Sequence, residues 1–167
     1  HRSPGHMYNA ANEIKERLPE IDVVIEILDA RIPFSSQNPL LMDIAAQKPT
    51  IKVLNKADLA DTKVVEHWQR HLEKNDHIKT IALTTKQPDK VKSILDLCRK
   101  MFPNKANHQF IIAMIMGIPN VGKSTIINIL ADRSVAKTGN EPAVTKGQQR
   151  IKISEDITFF DTPGMLW

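Results

Sequence analysis

Residues 110–132 constrain the fold more than any other stretch of the chain. An apolar run, "FIIAMIMG" at 110–117, leads into "GIPNVGKST" at 117–125, which opens a helical pattern, "GKSTIINILAD" at 122–132. An apolar run without alternation predicts a strand buried on both faces, as in parallel sheets covered by helices. Between strand and helix lies the spacing G-x-x-x-x-G-K-[ST], whose chemistry is phosphate binding. Gly117 and Gly122 let backbone N–H groups turn inward around phosphate oxygens, and the helix N-terminus adds the positive end of its dipole. Asn120, Val121, Gly122, Lys123, Ser124 and Thr125 are the candidate phosphate-loop residues. In such a loop the lysine, Lys123, reaches the β- and γ-phosphates, and Ser124 offers its hydroxyl to Mg²⁺.

The remaining chain continues the alternation. Strands are predicted at 22–28, 50–56, 78–85, 149–154 and 156–161, and helices at 8–18, 39–47, 61–75 and 88–102. Asp61 or Thr62 caps the helix at 61–75; Pro19 ends the first helix and Pro103 the one at 88–102. This order predicts an α/β fold of three layers, with six strands in a mostly parallel sheet covered on both faces. The last two strands are too close for a crossover helix, so they pair antiparallel and supply one antiparallel edge strand.

The chain of 167 residues, 41% hydrophobic and 25% charged, suits a single globular domain over 1–167. No apolar run reaches the roughly 18–20 residues of a membrane span, so no membrane partner is expected. The single Cys98 cannot form an internal disulfide and fits a reducing compartment. A net charge of +4 leans weakly toward an acidic partner such as RNA. Residues 1–3 read as a vector remnant, and the stop at Trp167 reads as the edge of a fragment.

Two further loops suit a guanine nucleotide. "NKAD" at 55–58 follows a predicted strand: Asp58 can accept from guanine N1 and N2, Asn55 can bond the base edge and tie loops together, and the Lys56 stem can lie over the ring. Adenine offers a carboxylate the wrong donors. "LTTK" at 83–86 ends the next strand, where Thr84, Thr85 and Lys86 make a second base loop and the Thr85 N–H would meet guanine O6. "DTPG" at 161–164 ends the last strand; Asp161 can hold the Mg²⁺ shell and Gly164 can offer its N–H to the γ-phosphate. The base reader precedes the phosphate loop, a cyclic rotation of the usual order. A parallel sheet tolerates it, because loops at the strands' carboxyl ends assemble by strand position and not by chain order.

That order, with "PGHM" at 4–7, "DARIPFSSQNP" at 29–39, "GIPNVGKST" and "PAVTKGQQ" at 142–149, resembles the circularly permuted ribosome-assembly GTPases of the YlqF/RbgA type over about residues 4–167. The resemblance implies a circularly permuted P-loop GTPase fold, with GTP and GDP bound together with Mg²⁺. It places Thr145 in the first switch, binding Mg²⁺ and the γ-phosphate. Where many GTPases carry a water-orienting Gln this chain has Met165, and the resemblance gives that task to His6; a histidine near a terminus is equally a surface residue. The family's aromatic residue before the Pro of this motif is Ser3 here. Asn120 matches the asparagine that holds K⁺ in potassium-activated GTPases, or it stabilises its own turn. In the resemblance "DARIP" at 29–33 is a signature near the nucleotide site; Asp29 and Arg31 equally form a structural ion pair, the reading favoured here. The basic stretch 133–152 is either a solvated face or a contact for phosphate and rRNA. A C-terminal helical domain, present in the family, would follow Trp167.

The expected protein is therefore a Mg²⁺-dependent GTPase, slow alone, acting in large-ribosomal-subunit assembly, in the cytoplasm or an organelle matrix, and a monomer. The alternative is a nucleotide-gated RNA- or ribosome-binding module whose hydrolysis is incidental; an ATPase or kinase is disfavoured by Asn55 and Asp58.

Overall fold

The apolar runs form strands buried on both faces, as runs without alternation require. The computed structural model describes residues 12, 14–33, 43, 46, 48–105, 110–117, 121–135 and 149–161. Along the chain lie β1 (Val23–Asp29), β2 (Thr50–Asn55), α1 (Thr62–Leu72), β3 (Ile78–Ala82), α2 (Pro88–Met101), β4 (Ile111–Met116), α3 (Lys123–Ala131), β5 (Gln149–Lys152) and β6 (Ile157–Asp161). The six strands form one sheet in the order β3-β2-β1-β4-β6-β5. Every neighbouring pair is parallel except β5 and β6, which pair antiparallel at the edge. The predicted fold class holds.

Alternate residues of each strand face opposite layers. Val23, Ile25 and Ile27 of β1 and Ile111, Ala113 and Ile115 of β4 meet α2 and α3 through Ile94, Cys98, Ile126 and Ile127. On the other face Val24, Met114, Met116 and Phe160 pack with Ile14 and Ile21, while Leu28 and Leu54 pack with Val65 of α1. Asp61 caps α1, accepting from the N–H groups of Lys63 and Val64. Burial pushes the Cys98 thiol up to about 12, so it is an inert core group.

Element ends differ from expectation by a few residues. The strand predicted to reach residue 85 ends at Ala82, because the Leu83 carbonyl turns to accept the N–H of Ala57. Pro19, predicted to end the first helix, sits inside a 3-10 turn, Leu18–Glu20, that follows helical residues 14–17. Proline is tolerated there because a first-turn N–H needs no partner within the helix. Of the helix predicted at 8–18, residues 12 and 14–18 are described; most of the one predicted at 39–47 lies outside the described residues.

One charged pair sits within the second face. Glu26 and Lys52 are register partners on β1 and β2, with Nζ 2.5 Å from Oε1 and side chains 5% and 15% exposed. Removing one member of such a pair strands the other charge in a poor solvent. Lys52→Met should therefore lower stability by about 3 kcal/mol in urea unfolding, and adding Glu26→Gln should recover part of the loss.

A surface pair ties α2 to the β5–β6 turn: Arg99 donates to Asp156 at 2.7 and 3.0 Å. These bonds hold the Asp156 carboxyl at about 2, below its ordinary 3.8. A depressed carboxyl stabilises the fold once it is ionised in the unfolded chain as well. The stability advantage over Asp156→Asn should be complete above about pH 4 and vanish as pH falls through about 2, as read from unfolding curves across that range.

Candidate nucleotide-binding site

Parallel strands deliver their following loops to one edge of the sheet. At that edge end β1 with Asp29, β2 with Asn55, β4 just before Gly117, and β6 with Asp161. Asp29 and Asn55 are register partners, as are Ile115 and Asp161. β1 lies between β2, which carries the base loop, and β4, which carries the phosphate loop.

Two glycines fit their places for steric reasons. A Cβ on Gly117 would lie 3.1 Å from the Ile27 carbonyl oxygen and 3.2 Å from Val121 Cγ2, so the phosphate loop leaves β4 pressed against β1. Gly122 has φ +93°, the left-handed region, and a Cβ there would collide with Asn55 Nδ2. Its carbonyl accepts the N–H of Ile126, starting α3. The first N–H groups of α3 have no partner within the helix, the property that suits a helix start to anions. Lys123 Nζ is 2.5 Å from Asp161 Oδ1, and the side chains are 14% and 20% exposed.

Asn55 joins the two halves. It is 3% exposed, and its Nδ2 donates to the Val121 carbonyl at 2.7 Å. Its backbone carbonyl accepts the Ala30 N–H at 2.7 Å. Its Oδ1 is buried and has no hydrogen-bond partner among the described residues, an expensive state for a polar atom outside a functional site. After it, Lys56 adopts φ 62° and starts the 3-10 turn Ala57–Leu59. Ala57 N–H bonds the Leu83 carbonyl, and Leu83 N–H bonds the Leu54 carbonyl, so the two base loops are laced together.

Asp58 accepts from Lys86 Nζ at 2.8 Å. The Lys86 hydrogen bond first, and one from Thr84, hold the Asp58 carboxyl below the usual range. Lys86 N–H in turn bonds Thr84 Oγ1 at 3.3 Å. At the end of β1, Arg31 donates to Asp29 from N, Nε and Nη2 at 2.9, 3.0 and 2.7 Å, holding that carboxyl low. This is the ion pair expected from the sequence. Lys56 Nζ also approaches Asp29, at 3.7 Å, a contact the sequence did not signal.

Asn55, Lys56, Asp58, Thr84 and Lys86 thus share one loop cluster. Val121, Gly122, Lys123 and Asp161 share a second, and the Asn55 amide spans the two. Ser124 is half-buried and Thr125 exposed in the first turn of α3; Thr85 lies in the second base loop. His6, Asn120, Thr145 and Gly164 lie outside the described residues. A cavity of about 200 Å³ lies elsewhere, walled by Val24, Glu26, Thr50, Lys52 and His77. Its wall includes none of these loop residues.

Fold and loops together define a P-loop GTPase-type domain in which the strand ending in "NKAD" precedes the strand that leads into "GIPNVGKST". Residues 112–167 match the family "50S ribosome-binding GTPase". Ribosome biogenesis GTPase A of Bacillus licheniformis is 45% identical over 98% of this chain and 60% of its own length. Mitochondrial ribosome-associated GTPase 1 of Ictalurus punctatus is 37% identical over 99% of this chain and 57% of its own length. The GNP-bound crystal structure of YlqF from T. maritima superposes with a TM-score of 0.58 at 28% identity, covering 95% of this chain and 59% of that one. The chain spans about three fifths of the length of these relatives. The chain is similar over nearly its whole length to circularly permuted ribosome-assembly GTPases of the YlqF/RbgA type, the resemblance its motifs carried.

Gly122→Ala combines a left-handed backbone with a collision against Asn55. It should lower the stability of nucleotide-free protein by about 1–2 kcal/mol or more in urea unfolding. An unchanged midpoint would mean that residue 122 does not need the left-handed conformation.

Proposed function

We propose that residues 1–167 are one circularly permuted GTPase domain, a Mg²⁺-dependent switch that binds and hydrolyses GTP in large-ribosomal-subunit assembly. The observation carrying this reading is the Asn55 amide bonded to Val121, which sets a base-reading loop and a phosphate loop side by side. The names of the relatives support the ribosomal context.

Each residue then has a task. Asp58 pairs with guanine N1 and N2 and Asn55 bonds the base edge, while Thr84, Thr85 and Lys86 close the second side, Thr85 through its N–H. Val121, Gly122, Lys123, Ser124 and Thr125 hold the phosphates through backbone N–H groups, ammonium and hydroxyls. Mg²⁺ supplies charge neutralisation at the β- and γ-phosphate oxygens. The donors at this site fit it: a hydroxyl on Ser124 and one carboxylate on Asp161, hard oxygen ligands that leave positions for phosphate and water. Asp161 now pairs with Lys123, so phosphate would take over the lysine and release the carboxylate toward the metal. Thr145 and Gly164 serve as switch contacts to the γ-phosphate, with Thr145 also on the metal. His6 orients the attacking water in place of the Gln that Met165 replaces, and Asn120 holds K⁺. Turnover is slow without a partner, and the large subunit and its rRNA supply that partner to a monomer in the cytoplasm or organelle matrix.

A second reading keeps the same binding but makes hydrolysis incidental to nucleotide-gated RNA or ribosome binding; Met165 at the Gln position favours it. GTP turnover in K⁺ buffer with and without large ribosomal subunits separates the two. Stimulation lost in His6→Ala supports the switch, and no stimulation supports the binding module.

Asp58→Asn should weaken GDP binding by about ten- to a hundredfold and tighten xanthosine diphosphate binding, measured by displacement of a fluorescent nucleotide. Unchanged preference would contradict the base-reading role.

A further inference from the structure

We propose that Asp29, clamped by Arg31, is a positioning residue that anchors the Lys56 ammonium and so lays the Lys56 stem across the purine-binding face. This deepens the guanine-nucleotide reading of the site and rests on it.

The location is the first ground. Asp29 ends β1, the strand between the base-loop strand and the phosphate-loop strand, and stands in register with Asn55, the residue before Lys56. The Ala30 N–H bonded to the Asn55 carbonyl fixes these two strand ends to each other. A group on Asp29 is therefore held in constant relation to the base loop.

Rigidity is the second. Three donors from Arg31 occupy both Asp29 oxygens, so the carboxylate cannot swing away. Its Oδ2 faces Lys56 Nζ at 3.7 Å.

The third is strain at Lys56. Its φ of 62° is uncommon for a residue with a side chain, and such conformations persist where the surroundings over-determine them. A loop clamp between Asp29 and Arg31 accounts for the arginine bonds. It does not account for a left-handed lysine whose ammonium returns to the same carboxylate. At 3.7 Å, with side chains 31% and 17% exposed, the pair is longer than a direct hydrogen bond and contributes little stability of its own. It does restrict a four-carbon stem that would otherwise sample many rotamers, and an ordered stem is a ready apolar wall for a flat ring.

The test is a double-mutant cycle on GDP affinity, read with a fluorescent GDP analogue and accompanied by thermal unfolding. Lys56→Met keeps an apolar stem and loses only the anchored ammonium. It should weaken GDP binding about fivefold, Asp29→Asn should do the same, and the double variant should lose no more than either alone. Lys56→Arg, which keeps a positive charge to face Asp29, should stay within about twofold of the parent even if Asp29→Asn proves too unstable to assay. Unaltered affinity in Lys56→Met, equal losses in Lys56→Met and Lys56→Arg, or losses that multiply in the double variant would overturn the proposal. A parent chain that does not bind GDP at all would instead remove the reading on which it rests.

Discussion

A single side-chain hydrogen bond holds the arrangement of loops together: Asn55 Nδ2 to the Val121 carbonyl, 2.7 Å long and buried. It connects the end of β2 to the turn that begins α3, two places far apart in the chain. Its geometry depends on Gly122, because the Asn55 amide occupies the space a side chain there would need. It depends also on β1, which spaces β2 from β4 so that the amide spans the gap. Losing the bond would strand a second polar atom beside Asn55 Oδ1, which has no partner among the described residues.

The rearranged motif order follows from the same geometry. Ligand loops in a parallel sheet are addressed by the positions of their strands. The order β3-β2-β1-β4-β6-β5 puts the base loops at one end of a row, the phosphate loop in the middle and Asp161 beyond it. Moving the chain start to a point ahead of β1 alters none of those neighbours. Charge pairing follows the row as well: Asp29 faces Lys56, Asp58 faces Lys86 and Asp161 faces Lys123. Each pair sets a carboxylate at or just beyond a strand end against a lysine of a neighbouring loop.

Much of this was legible in the sequence, for identifiable reasons. The run 110–117 could only be a buried strand, and the glycines after it could only be a turn toward a helix. The short gap between "QRIKIS" and "DITFFD" excluded a crossover and so predicted the antiparallel edge. Asp29 with Arg31 was readable because a single residue, Ala30, separates them. The contacts of Lys56 with Asp29 and Lys86 with Asp58 were not, and Asn55 was expected to tie loops together without Val121 being legible as its partner, because each contact joins loops of different strands, and strand order and register fix those distances. Strand ends shifted for a related reason: whether Leu83 continues β3 is decided by the Ala57 N–H, a tertiary partner.

The two loop clusters are proposed to form one site for a guanine nucleotide. Calorimetric titration of the chain with GDP and with ADP, both with Mg²⁺, tests it most directly. GDP should bind at least about a hundredfold more tightly, because guanine offers Asp58 the N1–H and N2–H donors, where adenine has an acceptor at N1 and no amino group at C2. Equal affinities, or no binding of either nucleotide, would contradict it.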